Sequence, residues 1–228
     1  TQFRRNDLEV IRSGATREIE EVLETSSGRQ YFISTKFPVI NDNGTVEGIC
    51  GMITDITERK VNEEKIRHLA THDVLTDLPT LRLASDRLEM AMNSALRHGN
   101  KAAVMFIDLD GFKTINDSMG HDAGDHVLKE VAGRMLSCVR HTDTVARVGG
   151  DEFLVISTEL HAAHDAAQIA DNLIRAISQP ITFENQQAVV GASIGIAIYP
   201  DHAFEMKELI KKADAAMYNV KYSGKNSF

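Results

Sequence analysis

Gly149 and Gly150 interrupt two apolar runs, Thr144-Val145-Ala146 before them and Phe153-Leu154-Val155-Ile156 after, within the septet RVGGDEF at 147–153. Such a glycine pair predicts a tight β-hairpin, because glycine accepts the positive φ angles that a short turn needs. The hairpin presents Asp151 and Glu152 at its tip, beside backbone that carries no side-chain bulk. A bare acidic tip suits a divalent cation and a polyphosphate that must approach closely. Taken alone, the septet is equally compatible with an ordinary solvent-exposed turn.

The segment upstream favours the first reading. Residues 101–107 (KAAVMFI) read as a short strand buried on both faces. The run continues into Asp108-Leu109-Asp110-Gly111-Phe112-Lys113, then Thr114-Ile115-Asn116-Asp117 and GHDAGD at 120–125. An acid at the end of a central strand is well placed to face the acidic hairpin. Two carboxylates brought together repel unless a cation or a proton lies between them. Mg²⁺ suits such a pair, since it uses a few carboxylates and completes its shell with water and phosphate.

Apolar periodicity predicts helices around 84–98, 122–139, 162–178 and 205–222, and strands near 101–108, 144–149, 152–157 and 188–199. The expected fold class is α/β, as an α+β sandwich with helices packed on a central, mainly antiparallel sheet. Ahead of it, Tyr31–Ile40 alternates apolar and polar positions, Asn41-Asp42-Asn43-Gly44 makes a turn, and Val46–Ile56 returns as a second strand. Thr57 is the expected N-cap of a charged connecting helix, which has too few heptads for a coiled coil. The chain therefore divides into 1–57, a linker helix at 58–70 and a main domain at 71–228. A length of 228 residues accommodates this.

A net charge of −8 and the lack of a basic stripe argue against a nucleic-acid partner. No apolar run approaches the ~20 residues of a membrane span, and nothing resembles a signal peptide. Cys50 and Cys138 have no metal-ligand spacing and read as buried thiols of a reducing, cytoplasmic compartment. The chain begins at Thr1 without a methionine, as expected of a fragment whose parent is attached to a membrane or carries sensory parts elsewhere.

FIDLDGFKTIND at 106–117, GHDAGD, RVGGDEF, SIGIAIYP at 193–200 and ADAAMYNVKYSGKN at 213–226 together resemble the GGDEF family of diguanylate cyclases, over about residues 68–228. HDVLTDLPTLRLASDRL at 72–88 resembles that family's opening motif, with Asp77, Thr80 and Leu81 where glycine, asparagine and arginine are usual. The N-terminal hairpin resembles the C-terminal half of a PAS sensor domain, and a packing or dimer element is the favoured role for it.

The resemblance implies a fold like the palm of nucleotidyl cyclases and polymerases, and condensation of two GTP into cyclic di-GMP with release of two pyrophosphates. It implies metal ligation by Asp108, Asp151 and the Leu109 carbonyl, with Glu152 reaching the metal or receiving a proton. The metal is Mg²⁺, or Mn²⁺ in its place. Asp151 is the candidate base and Lys113 the candidate transition-state cation. Guanine contacts fall on Asn116 and Asp125, with His121 nearby; a carboxylate accepts from guanine N1–H and N2–H but leaves adenine unpaired. Gly111 and Phe112 offer backbone N–H groups to phosphate, and Lys221 and Lys225 match the phosphate-binding pair, Lys225 standing where arginine is usual. One site holds one GTP, so a homodimer is implied. Arg140-His141-Thr142-Asp143 matches the spacing of an inhibitory site for the product. Two alternatives stay open: a cyclic di-GMP receptor without turnover, and a GTP-binding regulatory module for a downstream phosphodiesterase domain.

Overall fold

The computed structural model describes residues 2–26 and 28–228, which fall into two compact units, Thr1–His68 and Leu69–Phe228. The first holds α1 (Gln2–Ser13), β1 (Arg17–Thr25), β2 (Gly28–Ile40) and β3 (Val46–Asp55), an antiparallel sheet in the order β1-β2-β3, and opens α2 (Thr57–Thr71). The β2–β3 hairpin was expected. Its turn is held by Asn41, whose side-chain oxygen accepts the N–H groups of Asn43 and Thr45 at 3.0 and 2.9 Å. Helix α1 and strand β1 were not expected, because the face they bury is mostly polar. Asn6 donates to Glu21 at 3.0 Å, and Lys36 donates to Asp7 at 2.8 Å. Val10 is the one apolar side chain buried in α1 and β1 among the described residues, too little for a period to register.

Two expectations are corrected in this unit and its neighbour. Thr57 does not cap α2 with its hydroxyl, which instead accepts the Tyr31 N–H at 2.9 Å and donates to the Tyr31 carbonyl. The Asp55 carboxylate accepts the Thr57 N–H at 2.8 Å. The cysteines are not both buried: Cys50 is exposed on β3, and Cys138 ends its helix half-buried.

The second unit runs α3 (Leu81–His98), β4 (Lys101–Asp110), α4 (Phe112–Met119), α5 (His121–Cys138), β5 (Thr144–Gly149), β6 (Glu152–Leu160), α6 (Ala163–Ile177), β7 (Ile181–Phe183), β8 (Gln186–Ala188), β9 (Gly191–Tyr199) and α7 (Met206–Tyr222). Its sheet has the order β5-β6-β4-β9, with every pairing antiparallel. Strand β4 lies in the middle and is buried on both faces, as its apolar run requires. Ala103, Met105, Ile107 and Leu109 enter one core with α5 and α6. Ala102, Val104 and Phe106 enter the other, with α3 and α7. The period of two then directs Asp108 to the α7 side.

Helix α7 lies directly on β9. A Cβ added to Gly195 would overlap the Ala213 carbonyl oxygen and the Met217 nitrogen, so the glycine of SIGIAIYP is what lets helix backbone meet strand backbone. The close seat brings the last turn of α7, and Lys221 with it, to the end of β4. Helix α4, only eight residues long and rich in Asn, Asp, Ser and Thr, escaped the sequence reading, as did the short β7–β8 hairpin.

Candidate active site

The acidic hairpin and the end of β4 do come together. Asp108 pairs across the sheet with Glu152, and the Leu109 N–H donates to the Asp151 carbonyl at 3.2 Å. The strands end and begin where expected, at Gly149 and Glu152, but the loop between them is Gly150-Asp151 rather than the glycine pair. Gly149 still pairs with Glu152, and Gly150 and Asp151 form the two-residue loop, with φ of +54° at Gly150. Glu152 therefore begins β6 rather than sharing the tip.

Asp108 is 5% exposed and receives the Lys221 ammonium at 2.5 Å. Burial raises the Asp108 pKa most. The Lys221 hydrogen bond opposes that shift, and the charges of Asp151 and Asp110 add to it. Burial also raises Glu152, with Asp108, Asp151 and Asp214 pushing the same way. For Lys221, burial works against the charged form, but the hydrogen bond to Asp108 and the surrounding acids outweigh it and raise its pKa. The two partners of one ion pair thus both shift upward. For Asp108 the main cause is burial; for Lys221 it is a local shortage of positive charge, one ammonium facing several carboxylates.

That shortage is the observation that fits a divalent cation to this cluster. Among the described residues no three His, Cys, Asp or Glu side chains converge as a preformed cage. A Mg²⁺-type ion does not need one, because one or two carboxylates suffice when substrate phosphate and water complete the shell.

Asp110, the next acid on the same face, is committed elsewhere. It accepts the Ser193 hydroxyl at 2.9 and 3.0 Å and the Asn226 N–H at 3.0 Å. It ties the chain after α7 to the sheet. Lys225 lies in that segment, exposed and at φ +63°.

Past β4, Gly111 turns the chain with φ of +84°. The N–H groups of Phe112 and Lys113 then open the first turn of α4, where a helix has no internal acceptors for them. Lys113 is exposed, and Asn116 sits within α4. Helix α5 carries His121 and Asp125, both exposed. Asn116 lies against Gly124 in the seam between the two helices.

Sequence reasoning missed a brace behind the hairpin. Arg147 donates through Nε and Nη2 to the Gly150 carbonyl at 3.1 and 2.8 Å, and through Nη1 to Asp73 at 2.9 Å. Asp73 also accepts the N–H and hydroxyl of Thr76 at 2.9 and 2.7 Å. The Arg147 N–H donates to the Pro79 carbonyl at 2.9 Å. The HDVLTDLP segment and the acidic hairpin are therefore one hydrogen-bonded assembly. Asp77 in that segment takes φ of +59°, which aspartate tolerates better than most residues.

Residues 70–227 match the family described as diguanylate cyclase, GGDEF domain. The chain belongs to the GGDEF family. Its residues 1–61 match the PAS fold. The bifunctional diguanylate cyclase/cyclic di-GMP phosphodiesterase MucR of Pseudomonas aeruginosa is 47% identical over 169 residues, which cover 74% of this chain and 24% of MucR. PdeR of Escherichia coli, named a cyclic di-GMP phosphodiesterase, is 35% identical over 227 residues, 99% of this chain and 34% of PdeR. The chain thus spans between a quarter and about a third of the length of these two relatives. The solved GGDEF domain of TpbB from P. aeruginosa is similar at a TM-score of 0.67 and 43% identity, over 68% of this chain and 91% of that one. GGDEF diguanylate cyclases are generally dependent on a divalent metal. Among the described residues of this GGDEF chain, no helix is long and apolar enough to cross a membrane.

The Arg140–Asp143 pattern of the GGDEF domain forms its own turn. Asp143 accepts the Arg140 N–H at 3.0 Å through one carboxylate oxygen and the Thr158 N–H at 3.0 Å through the other. Asp143 N–H donates to the Arg140 carbonyl at 2.9 Å. The Arg140 side chain is exposed at the rim of a cleft of about 270 Å³ lined also by Leu160, Gln168 and Asn172.

Proposed function

We propose that this GGDEF domain condenses two GTP into cyclic di-GMP in a cytoplasmic setting. The observation that carries the reading is the acid cluster of Asp108, Asp151 and Glu152, short of positive charge and lying beside the open first turn of α4. Asp108, Asp151 and the Leu109 carbonyl would hold Mg²⁺, or Mn²⁺. The ion would polarise the α-phosphate and lower the cost of ionising a hydroxyl. Phe112 and Lys113 N–H groups, with the Gly111 turn, cradle the phosphate oxygens. The Lys113, Lys221 and Lys225 ammonium groups balance the charge that spreads over them in the transition state.

In each half-reaction the 3′-hydroxyl oxygen of one GTP forms a bond to the α-phosphorus of the other, the α–β phosphoanhydride bond breaks, and pyrophosphate leaves. The hydroxyl proton goes to Asp151, with Glu152 beside it, its carboxyl pKa held above the ordinary value by burial. Asn116 and Asp125, with His121 beside them, read the guanine edge. Because one domain holds one GTP, turnover requires two sites facing each other in a homodimer. Arg140 and Asp143 bind the product as an inhibitor, with Asp143 using the lone pairs its backbone bonds leave open.

Incubation of the protein with GTP and Mg²⁺ should give cyclic di-GMP and pyrophosphate in a 1:2 ratio, and Asp151→Ala should abolish both. GTP binding without turnover would instead support a regulatory module for a phosphodiesterase, a second reading favoured by the match to PdeR over nearly the whole chain. Tight cyclic di-GMP binding without GTP binding would make the domain a receptor.

A further inference from the structure

Gly124 lies in α5 and is buried. Its φ is not in the left-handed region, so nothing in its backbone conformation calls for glycine. An alanine would favour the helix there. What sets the residue is space. A Cβ at position 124 would overlap the Asn116 side-chain oxygen outright, lie 3.0 Å from Asn116 Cγ and 3.3 Å from Phe112 Cζ. The helix thus carries a gap one methyl group wide, and the Asn116 amide fills it.

We infer that Gly124 is the positioning residue for guanine specificity: the missing side chain fixes the rotamer of Asn116. This rests on the reading of Asn116 as a guanine contact. Asn116 has a flexible side chain, so a methyl group at position 124 displaces the amide rather than the helix. Phe112 needs to yield only a few tenths of an ångström at its ring edge. The damage is then confined to recognition. A base with the exocyclic N2 amine loses one of its two partners, with Asp125 remaining as the other.

The test is equilibrium binding of GTP and of ITP, whose hypoxanthine lacks that amine, measured with Mg²⁺ on the whole chain. This readout does not depend on turnover. Wild type should prefer GTP by at least about tenfold, the worth of one hydrogen bond whose loss leaves a polar group unpaired. Gly124→Ala should lower the preference several-fold, the Asp125 carboxylate still accepting from N2–H, while retaining most of its affinity for ITP. Asn116→Ala should do the same, and the double variant should be no worse than Asn116→Ala alone, because the two changes remove one interaction. If Gly124→Ala fails to fold because the amide cannot move, the double variant restores the space and still reports the coupling.

A Gly124→Ala protein that keeps its preference while Asn116→Ala lowers it would overturn the inference and leave the Asn116 reading intact. Loss of preference in the double variant well beyond Asn116→Ala would overturn it as well. No preference in wild type, or an unchanged one in Asn116→Ala, would remove both.

Discussion

The brace behind the hairpin makes a quantitative claim. Replacing Arg147 by Met keeps much of its length but removes all three side-chain hydrogen bonds, to the Gly150 carbonyl and to Asp73. The Arg147 side chain is only 11% exposed, so water does not fully replace these partners. A hydrogen bond to a charged group contributes about 1.5–3 kcal/mol. The two bonds to Gly150 share one acceptor and count as one. Asp73 keeps Thr76 as a partner, which limits its penalty. The expected loss is about 3 kcal/mol, concentrated on the hairpin rather than on the sheet core. At about 1.4 kcal/mol per factor of ten, the open hairpin should become on the order of a hundredfold more populated. Native-state hydrogen exchange at the amides of residues 148–152 measures this directly. Arg147→Lys, which keeps the charge but not the fork, should fall between. Unchanged protection of those amides in Arg147→Met would refute the brace, whatever happened to activity.

Lys221→Met should lower thermal stability by about 3 kcal/mol by leaving Asp108 buried without its partner, and Asp108→Asn in the same chain should recover most of it; a double variant no more stable than Lys221→Met would contradict the pairing. For Asp73, burial acts to raise the pKa, but the Thr76 hydroxyl and Arg147 bonds prevail and hold it below the ordinary carboxylate value. Its contribution is therefore complete above about pH 4 and is lost as pH falls through the lowered pKa. Acid melts of Asp73→Asn should be flatter than wild type below pH ~4, and parallel curves would oppose this. Gly195→Ala should cost at least about 1–3 kcal/mol in denaturant melts, since α7 must lift off β9 to admit the methyl group; a neutral effect would contradict the close seat.

The main sheet was legible because β4, β5, β6 and β9 bury apolar runs, and α3, α5, α6 and α7 carry apolar stripes of helical period. Both signals fail where the buried face is mostly polar, as with Glu21 of β1 and Lys36 of β2 against α1. They fail also where an element is too short to show a period, as in α4. In the site, the meeting of Asp108 with the hairpin could be anticipated from a strand end and a turn. The ion pair of Asp73 with Arg147 spans 74 residues of sequence, and no local pattern reports it. Gly124 and Gly195 each stand for a contact that exists only once two elements have docked. The cysteines were misplaced because composition speaks for the average thiol, whereas Cys50 sits on an exposed stretch of β3.

The central claim is that Asp108 and Asp151 jointly hold one divalent cation over the nucleotide. Mn²⁺ binding in the presence of a non-hydrolysable GTP analogue, followed by electron paramagnetic resonance, tests it in wild type, Asp108→Asn, Asp151→Asn and the double variant. Each single change should weaken binding by an order of magnitude or more, and the double variant should be little worse than the weaker single, as expected of two ligands of one ion. Tight Mn²⁺ binding that survives both changes would contradict the account.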